Sequence, residues 1–138
     1  MNSSLPARFN FAEHLFALNR GRAERTAYID DRGTLGYGQL EDRARRLAAA
    51  LKAAGIRREE RVLLLMLDGN DWPVSFLGCL YAGIVPVAVN TLLTPDDYAY
   101  MLDHSRAQAV LVSVQRQESA PEWKSQRRLA MVVALARR

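Results

Sequence analysis

The apolar positions of this chain change period several times, and each change marks a predicted element. Phe11, Leu15 and Leu18 recur at helical spacing. Asn10 precedes them with Glu13 three residues on, the signature of a capping box, and Gly21 is expected to stop this helix in the left-handed conformation. Thr26–Ile29, the turn residues Asp30 to Gly33, and Thr34–Leu35 then read as a small strand–turn–strand. The longest helical stripe follows in Leu40, Ala44, Leu47, Ala48 and Leu51. Glu41, Asp42, Arg43, Arg45, Arg46 and Lys52 fall mainly off that stripe. Gly36 is the predicted N-cap with Gln39 at the third helical position, and Gly55 is the predicted stop.

From residue 62 the pattern no longer alternates. VLLLML (62–67) is an unbroken apolar run, as a strand buried on both faces requires. Asp71 is expected to cap a helix starting at Trp72-Pro73, with Pro73, Phe76, Leu77 and Leu80 inward and Gly83 at its end. IVPVAV (84–89) is a second strand, in which Pro86 predicts an irregular or bulged course. Thr94-Pro95-Asp96-Asp97 starts another helix, with Tyr98, Met101 and Leu102 inward, and AVLVSV (109–114) is the third strand. Strand starts at 62, 84 and 109 leave room for a helical crossover in each gap. The predicted fold is α/β: a partial doubly wound parallel sheet of three βα units, preceded by an N-terminal helix and a small β-hairpin. Three parallel strands leave both sheet edges open, so a self-sufficient α/β binding or interaction module, paired into a homo-oligomer through those edges, is an alternative reading. Ser119 to Glu122 can cap a further helix, and the apolar stretch Leu129–Ala136 reads as a marginal one.

Composition narrows this picture. A chain of 138 residues, 49% hydrophobic and 25% charged, suits one domain with a core. The single cysteine, Cys79, excludes an internal disulfide and a multi-cysteine zinc site. No apolar run approaches the roughly 20 residues that span a bilayer, and residues 1–8 lack the apolar stretch of a secretory signal, so the expected location is cytoplasmic. The formal net charge of +4 is confined to residues 115–138, since residues 1–114 carry 13 basic and 13 acidic side chains. An excess restricted to one terminal segment is no basic face, and nucleic acid is not an expected partner.

Little in the chain looks catalytic. Asp103-His104-Ser105 has the letters of a triad, but neighbours on a helix diverge by about 100° and cannot form a relay. His14 has no second ligand at helical spacing. Gly33, Gly36 and Gly38 follow the order G-x-x-G-x-G, which fits turn and cap positions better than a dinucleotide loop. Asp68-Gly69-Asn70-Asp71 lacks the last acid of a calcium loop. Cys79 sits on an apolar helix as an inert thiol, and the sequon Asn2-Ser3-Ser4 has no meaning without secretion. Ligands of open α/β sheets gather beyond the carboxyl ends of the strands, here Asp68–Asp71, Asn90–Thr94 and the residues after Val114.

RAERTAYIDDRGTLGYGQLEDRARRLAAALKAAGI, RVLLLMLDGNDWPVSFLGCLYAGIVPVAVNTLLTPDDYAYMLDHSRAQAVLVS and FNFAEHLF together resemble the N-terminal region of adenylate-forming acyl-CoA synthetases, within them the benzoate-CoA ligase group. The resemblance covers about residues 9–113 and fades after Ser113. It implies residues 1–114 as an N-terminal portion of an AMP-binding domain and 115–138 as a basic tail or aberrant C-terminus. It also implies a parent reaction in which a carboxylate such as benzoate, ATP and coenzyme A yield acyl-CoA, AMP and pyrophosphate, with magnesium assisting. The family's Lys-ended phosphate loop, adenylate motif, hinge Asp and lid Lys match no position here. The resemblance therefore assigns no catalytic, cofactor-binding or metal residue, and the chain alone is expected to be inactive.

Overall fold

A computed structural model describes residues 6–114 and 130–135. Helix α1 (Phe11–Asn19) leads through a 3-10 turn to the hairpin β1 (Thr26–Asp30) and β2 (Gly33–Gly36). Then come α2 (Tyr37–Ala53), β3 (Arg61–Leu65), α3 (Asp71–Ala82), β4 (Val85–Ala88), α4 (Pro95–Ser105), β5 (Ala107–Val114) and β6 (Ala130–Leu135). The second sheet has the order β4-β3-β5-β6, with β3 parallel to both β4 and β5. The α/β architecture read from periodicity is therefore the observed one.

Local chemistry explains most boundaries. Asn10 caps α1 by accepting the Glu13 N–H at 3.0 Å. Gln39 reaches back to the Gly36 N–H at 3.0 Å to start α2, and Thr94 and Asp97 form a reciprocal box at α4. Gly55 and Gly83 take positive φ where α2 and α3 end.

Five details depart from the sequence reading. Gly21 is not left-handed, because the chain leaves α1 through the 3-10 turn Arg20–Arg22. The N-cap of α3 is Asn70 rather than Asp71, which becomes the first helical residue. Pro86 causes no bulge: the β3–β4 register runs unbroken from Arg61↔Val85 to Leu64↔Ala88. Val85 and Val89 donate their N–H groups to Glu60 and Leu64 on the β3 side, so the intervening Pro86 meets the outer edge, where the ladder needs no donor. The inner face of α3 is broader than predicted, with Val74, Ser75, Gly78 and Cys79 buried beside Pro73 and Leu77, while Phe76 and Leu80 are half-buried. Residues 130–135 extend as β6 antiparallel to β5 instead of continuing a helix. AMVVAL carries adjacent β-branched valines, and the free edge of β5 offers them a ladder. The cap expected at Ser119 to Glu122 lies outside the described residues.

The core lies between α2/α3 and one sheet face. Val62, Leu64, Ala109 and Leu111 are fully buried there against Leu47, Ala48, Leu51, Cys79 and Ala82. A second cluster joins Phe16 of α1, Leu35 of the hairpin, Leu40 and Ala44 of α2, and Val74 and Leu77 of α3. α2 and α3 pack so closely at Gly78 that an added Cβ would stand 3.0 Å from the Ala44 carbonyl oxygen and from a Leu47 methyl.

Candidate functional site

The carboxyl end of β3 opens into the loop before α3, and the hairpin turn is tied to that loop. Asp30 Oδ2 accepts the Asn70 N–H at 2.9 Å, and the Asn70 carboxamide donates to the Gly33 carbonyl at 3.0 Å. Asp30 Oδ1 also accepts the Arg32 N–H at 2.9 Å. The Asn70 hydrogen bond, foremost, together with this second N–H and the Arg32 guanidinium, holds the Asp30 carboxyl below its ordinary range against the opposing effect of burial. Asp71 is bracketed by Arg32, at 2.9 Å, and by Arg43 of α2. The Asn70 Oδ1 is buried without a protein donor.

This mouth does not fit a phosphate group. The Asn70 N–H is used by Asp30, the Trp72 N–H by the Gly69 carbonyl, and Pro73 has none. The two nearby guanidiniums are matched by two carboxylates, Arg32 pairing with Asp30 and Asp71 and Arg43 with Asp71. A helix N-terminus that binds an anion needs free N–H groups, which these three residues do not supply.

The second mouth residue group, after β4, is a loop tied by three hydrogen bonds. Asn90 Oδ1 accepts the Leu92 N–H at 2.9 Å, Tyr98 Oη accepts the Leu93 N–H at 3.1 Å, and the same hydroxyl donates to the Asn90 carbonyl at 3.0 Å. Leu92 stands 90% exposed at its tip. Thr94 and Asp97 satisfy each other in the α4 cap, and the Thr94 hydroxyl and N–H keep the Asp97 carboxyl low. The first two mouths thus carry turn and cap chemistry rather than reacting groups.

The other singled-out residues have structural surroundings. His104 stacks on Tyr100, centroids 5.3 Å apart, while Ser105 Oγ donates to the Leu102 carbonyl at 3.4 Å, so Asp103, His104 and Ser105 form no relay. His14 lies against Phe9. Cys79 is fully buried, and burial pushes its thiol up to about 12, which removes the thiolate a nucleophile needs. Gly33 takes a positive φ in the hairpin turn, and Gly36 and Gly38 let the chain pass close to Ala23. Among the described residues no group of three or more His, Cys, Asp or Glu side chains could hold a metal, and no helix is long and apolar enough to cross a membrane.

Sequence reasoning missed the long-range polar ties: Asp30 to Asn70, Arg43 to Asp71, and Arg61, whose Nε donates to the Ser105 carbonyl at the end of α4 at 2.6 Å. Their partners lie 28 to 44 residues apart, beyond any local pattern.

Comparison with known proteins gives this geometry its context. A benzoate–CoA ligase of Thauera aromatica is 45% identical over 112 residues, 79% of this chain and 21% of the relative. A 4-hydroxybenzoate–CoA/benzoate–CoA ligase of Rhodopseudomonas palustris is 42% identical over 67% of this chain and 17% of its own length. In three dimensions the chain is similar to a benzoate CoA ligase from Burkholderia xenovorans LB400, with 63% identity and a TM-score of 0.74 over 75% of this chain and 21% of that one. It is also similar to the anthranilate CoA ligase AuaEII, solved with anthranoyl-AMP, with 36% identity and a TM-score of 0.75 over 78% and 21%. The chain therefore spans about a fifth of the length of these relatives. The AMP-binding enzyme family model matches residues 15–137, past Ser113 where the quoted pattern fades. With nearly the whole chain inside that match and the βαβ core superposing on solved ligases, this polypeptide belongs to the AMP-binding enzyme family.

Proposed function

We propose that the chain is the N-terminal scaffold of a benzoate-CoA ligase-like enzyme and contributes no catalytic group of its own. In that reading the whole enzyme joins benzoate or a related carboxylate to coenzyme A at the expense of ATP, through an acyl-adenylate and pyrophosphate, in the cytoplasm. ATP, magnesium and coenzyme A are held by parts outside these residues. The observation that carries the reading is the β3–α3 mouth, in a chain 45% identical to a benzoate–CoA ligase: the Asn70 and Trp72 N–H groups, Arg32 and Arg43 are all engaged inside the fold. Adenylation places charge on a phosphoryl group and requires a cradle of donors and a cation around it.

The test is benzoate-dependent ATP–pyrophosphate exchange by the purified 138-residue chain. No exchange above a heat-treated control is expected, and robust exchange by protein free of host ligase overturns the scaffold reading. The alternative, a self-sufficient module that pairs its open sheet edges, meets an obstacle at β4. Pro86 stands where an added strand would look for an N–H.

A further inference from the structure

An aspartate followed by glycine can rearrange its own backbone, given a carboxyl that nothing holds and a free amide nitrogen beside it. The chain has a single Asp-Gly pair, Asp68-Gly69, and no Asn-Gly. The pair lies in the loop between the end of β3 at Leu65 and the start of α3 at Asp71. Both conditions hold there among the described residues. Asp68 is exposed, and no hydrogen bond or ion pair engages its carboxyl. The Gly69 carbonyl accepts the Trp72 N–H at 3.0 Å, but the Gly69 N–H has no acceptor. Glycine also has no Cβ to shield that nitrogen. The neighbouring groups are held. Asp30 accepts the Asn70 and Arg32 N–H groups, and Asp71 pairs with Arg32 and Arg43. Asn70 is buried, with its carboxamide donating to the Gly33 carbonyl.

We propose that Asp68 is a site of spontaneous isoaspartate formation, and that this change undoes the hairpin latch. The Gly69 nitrogen attacks Asp68 Cγ and forms an N–Cγ bond, while a carboxyl oxygen departs as water with the amide proton. The cyclic imide then takes up water at the Asp68 main-chain carbonyl carbon, where the bond to the Gly69 nitrogen breaks. The chain now runs through Cβ and Cγ and carries a free α-carboxylate; opening at Cγ instead restores aspartate. Water leaves and water returns, so no other reactant is consumed. The backbone becomes longer by a carbon just before Asn70, whose N–H and carboxamide are fixed at 2.9 and 3.0 Å to Asp30 and Gly33. Asp30 Oδ2 would stand 3.2 Å from a Cβ at Gly69, so the loop has no slack on that side. Hydrogen bonds weaken steeply when misaligned, and the longer loop displaces both. The site is a property of this loop and does not rest on the scaffold reading.

The experiment ages the 138-residue chain and its Asp68→Glu variant at neutral pH, below the melting midpoint. Fragmentation by electron transfer then separates isoaspartate from aspartate of equal mass, and a synthetic peptide of residues 61–76 supplies the unconstrained rate. Isoaspartate is expected at residue 68 of the folded chain within about tenfold of the peptide's rate, an added barrier below about 1.4 kcal/mol. A folded chain slowed by more than about tenfold overturns the site. The aged parent should melt below the fresh parent, while aged Asp68→Glu keeps its midpoint. Isoaspartate without that fall, or an equal fall in both proteins, overturns the link to the latch. A chain with no cooperative melt also counts against the proposal, because the held loop it starts from is then not formed.

Discussion

The two crossover helices, α3 and α4, make the same connection between parallel strands and are held by different physics. α3 buries seven of its twelve residues, among them Leu77, Cys79 and Ala82, between α2 and the sheet. α4 buries none and is fastened at its ends: by the Thr94–Asp97 box and Tyr98 at the start, and by Arg61 on the Ser105 carbonyl at the finish. Helical stability in proteins comes mostly from packing an apolar face, so α3 is integral to the core and α4 depends on caps. The difference tells which crossover the core itself holds.

Substitutions can break or sharpen this contrast. The largest effect belongs to the sealed face: Leu64→Ala should cost about 2–5 kcal/mol of unfolding free energy in a denaturant titration, because Leu64 is fully buried. Equal costs for Leu64→Ala and for Leu102→Ala, a half-buried position on the mostly exposed α4, would erase the contrast. Next, Gly78→Ala should lose about 1–3 kcal/mol by overpacking the α2–α3 contact, where Ala44 and Leu47 leave no room. Thr94→Ala removes the α4 cap and should cost about 0.5–2 kcal/mol, with amide exchange rising across α4 and not across α3. Smallest is Arg46→Ala on the outer side of α2, at under about 0.5 kcal/mol.

The hairpin latch gives a pH dependence of definite sign. Asp30 has a folded pKa below its unfolded value, chiefly through the Asn70 N–H. Its contribution to stability is therefore complete above the unfolded value of about 3.9 and is lost as pH falls through the lower folded value. In acid titrations followed by thermal melting, Asp30→Asn should remove that increment, so the variant loses less stability than the parent as the pH drops. An identical acid slope in both would mean that Asp30 does not hold the hairpin to the Asn70 loop.

Much of the fold was legible because its signals are local. The stripe Leu40, Ala44, Leu47, Ala48, Leu51 is the buried face of α2 as the period requires, and VLLLML (62–67) overlaps β3 from Val62 to Leu65. Caps at Asn10 and Thr94 and stops at Gly55 and Gly83 act within a few residues of themselves. The candidate site was less legible. Asp71 reads as a cap in sequence, yet Asn70 holds the cap position, without a side-chain cap hydrogen bond, and Asp71 serves as the meeting point of Arg32 and Arg43. Tyr98, expected inward, spends its hydroxyl on the Leu92 loop.

The sequence by itself determined the order of elements, the βαβ alternation and the membership of the AMP-binding family, because periodicity, caps and quoted motifs are properties of neighbouring residues. Only the tertiary structure decided which sheet face is sealed, that Pro86 sits harmlessly on an outer edge, that 130–135 pairs with β5 as a strand, and that Asp30 reaches Asn70. Those outcomes depend on crossover direction and on contacts between residues tens of positions apart, which no local pattern encodes.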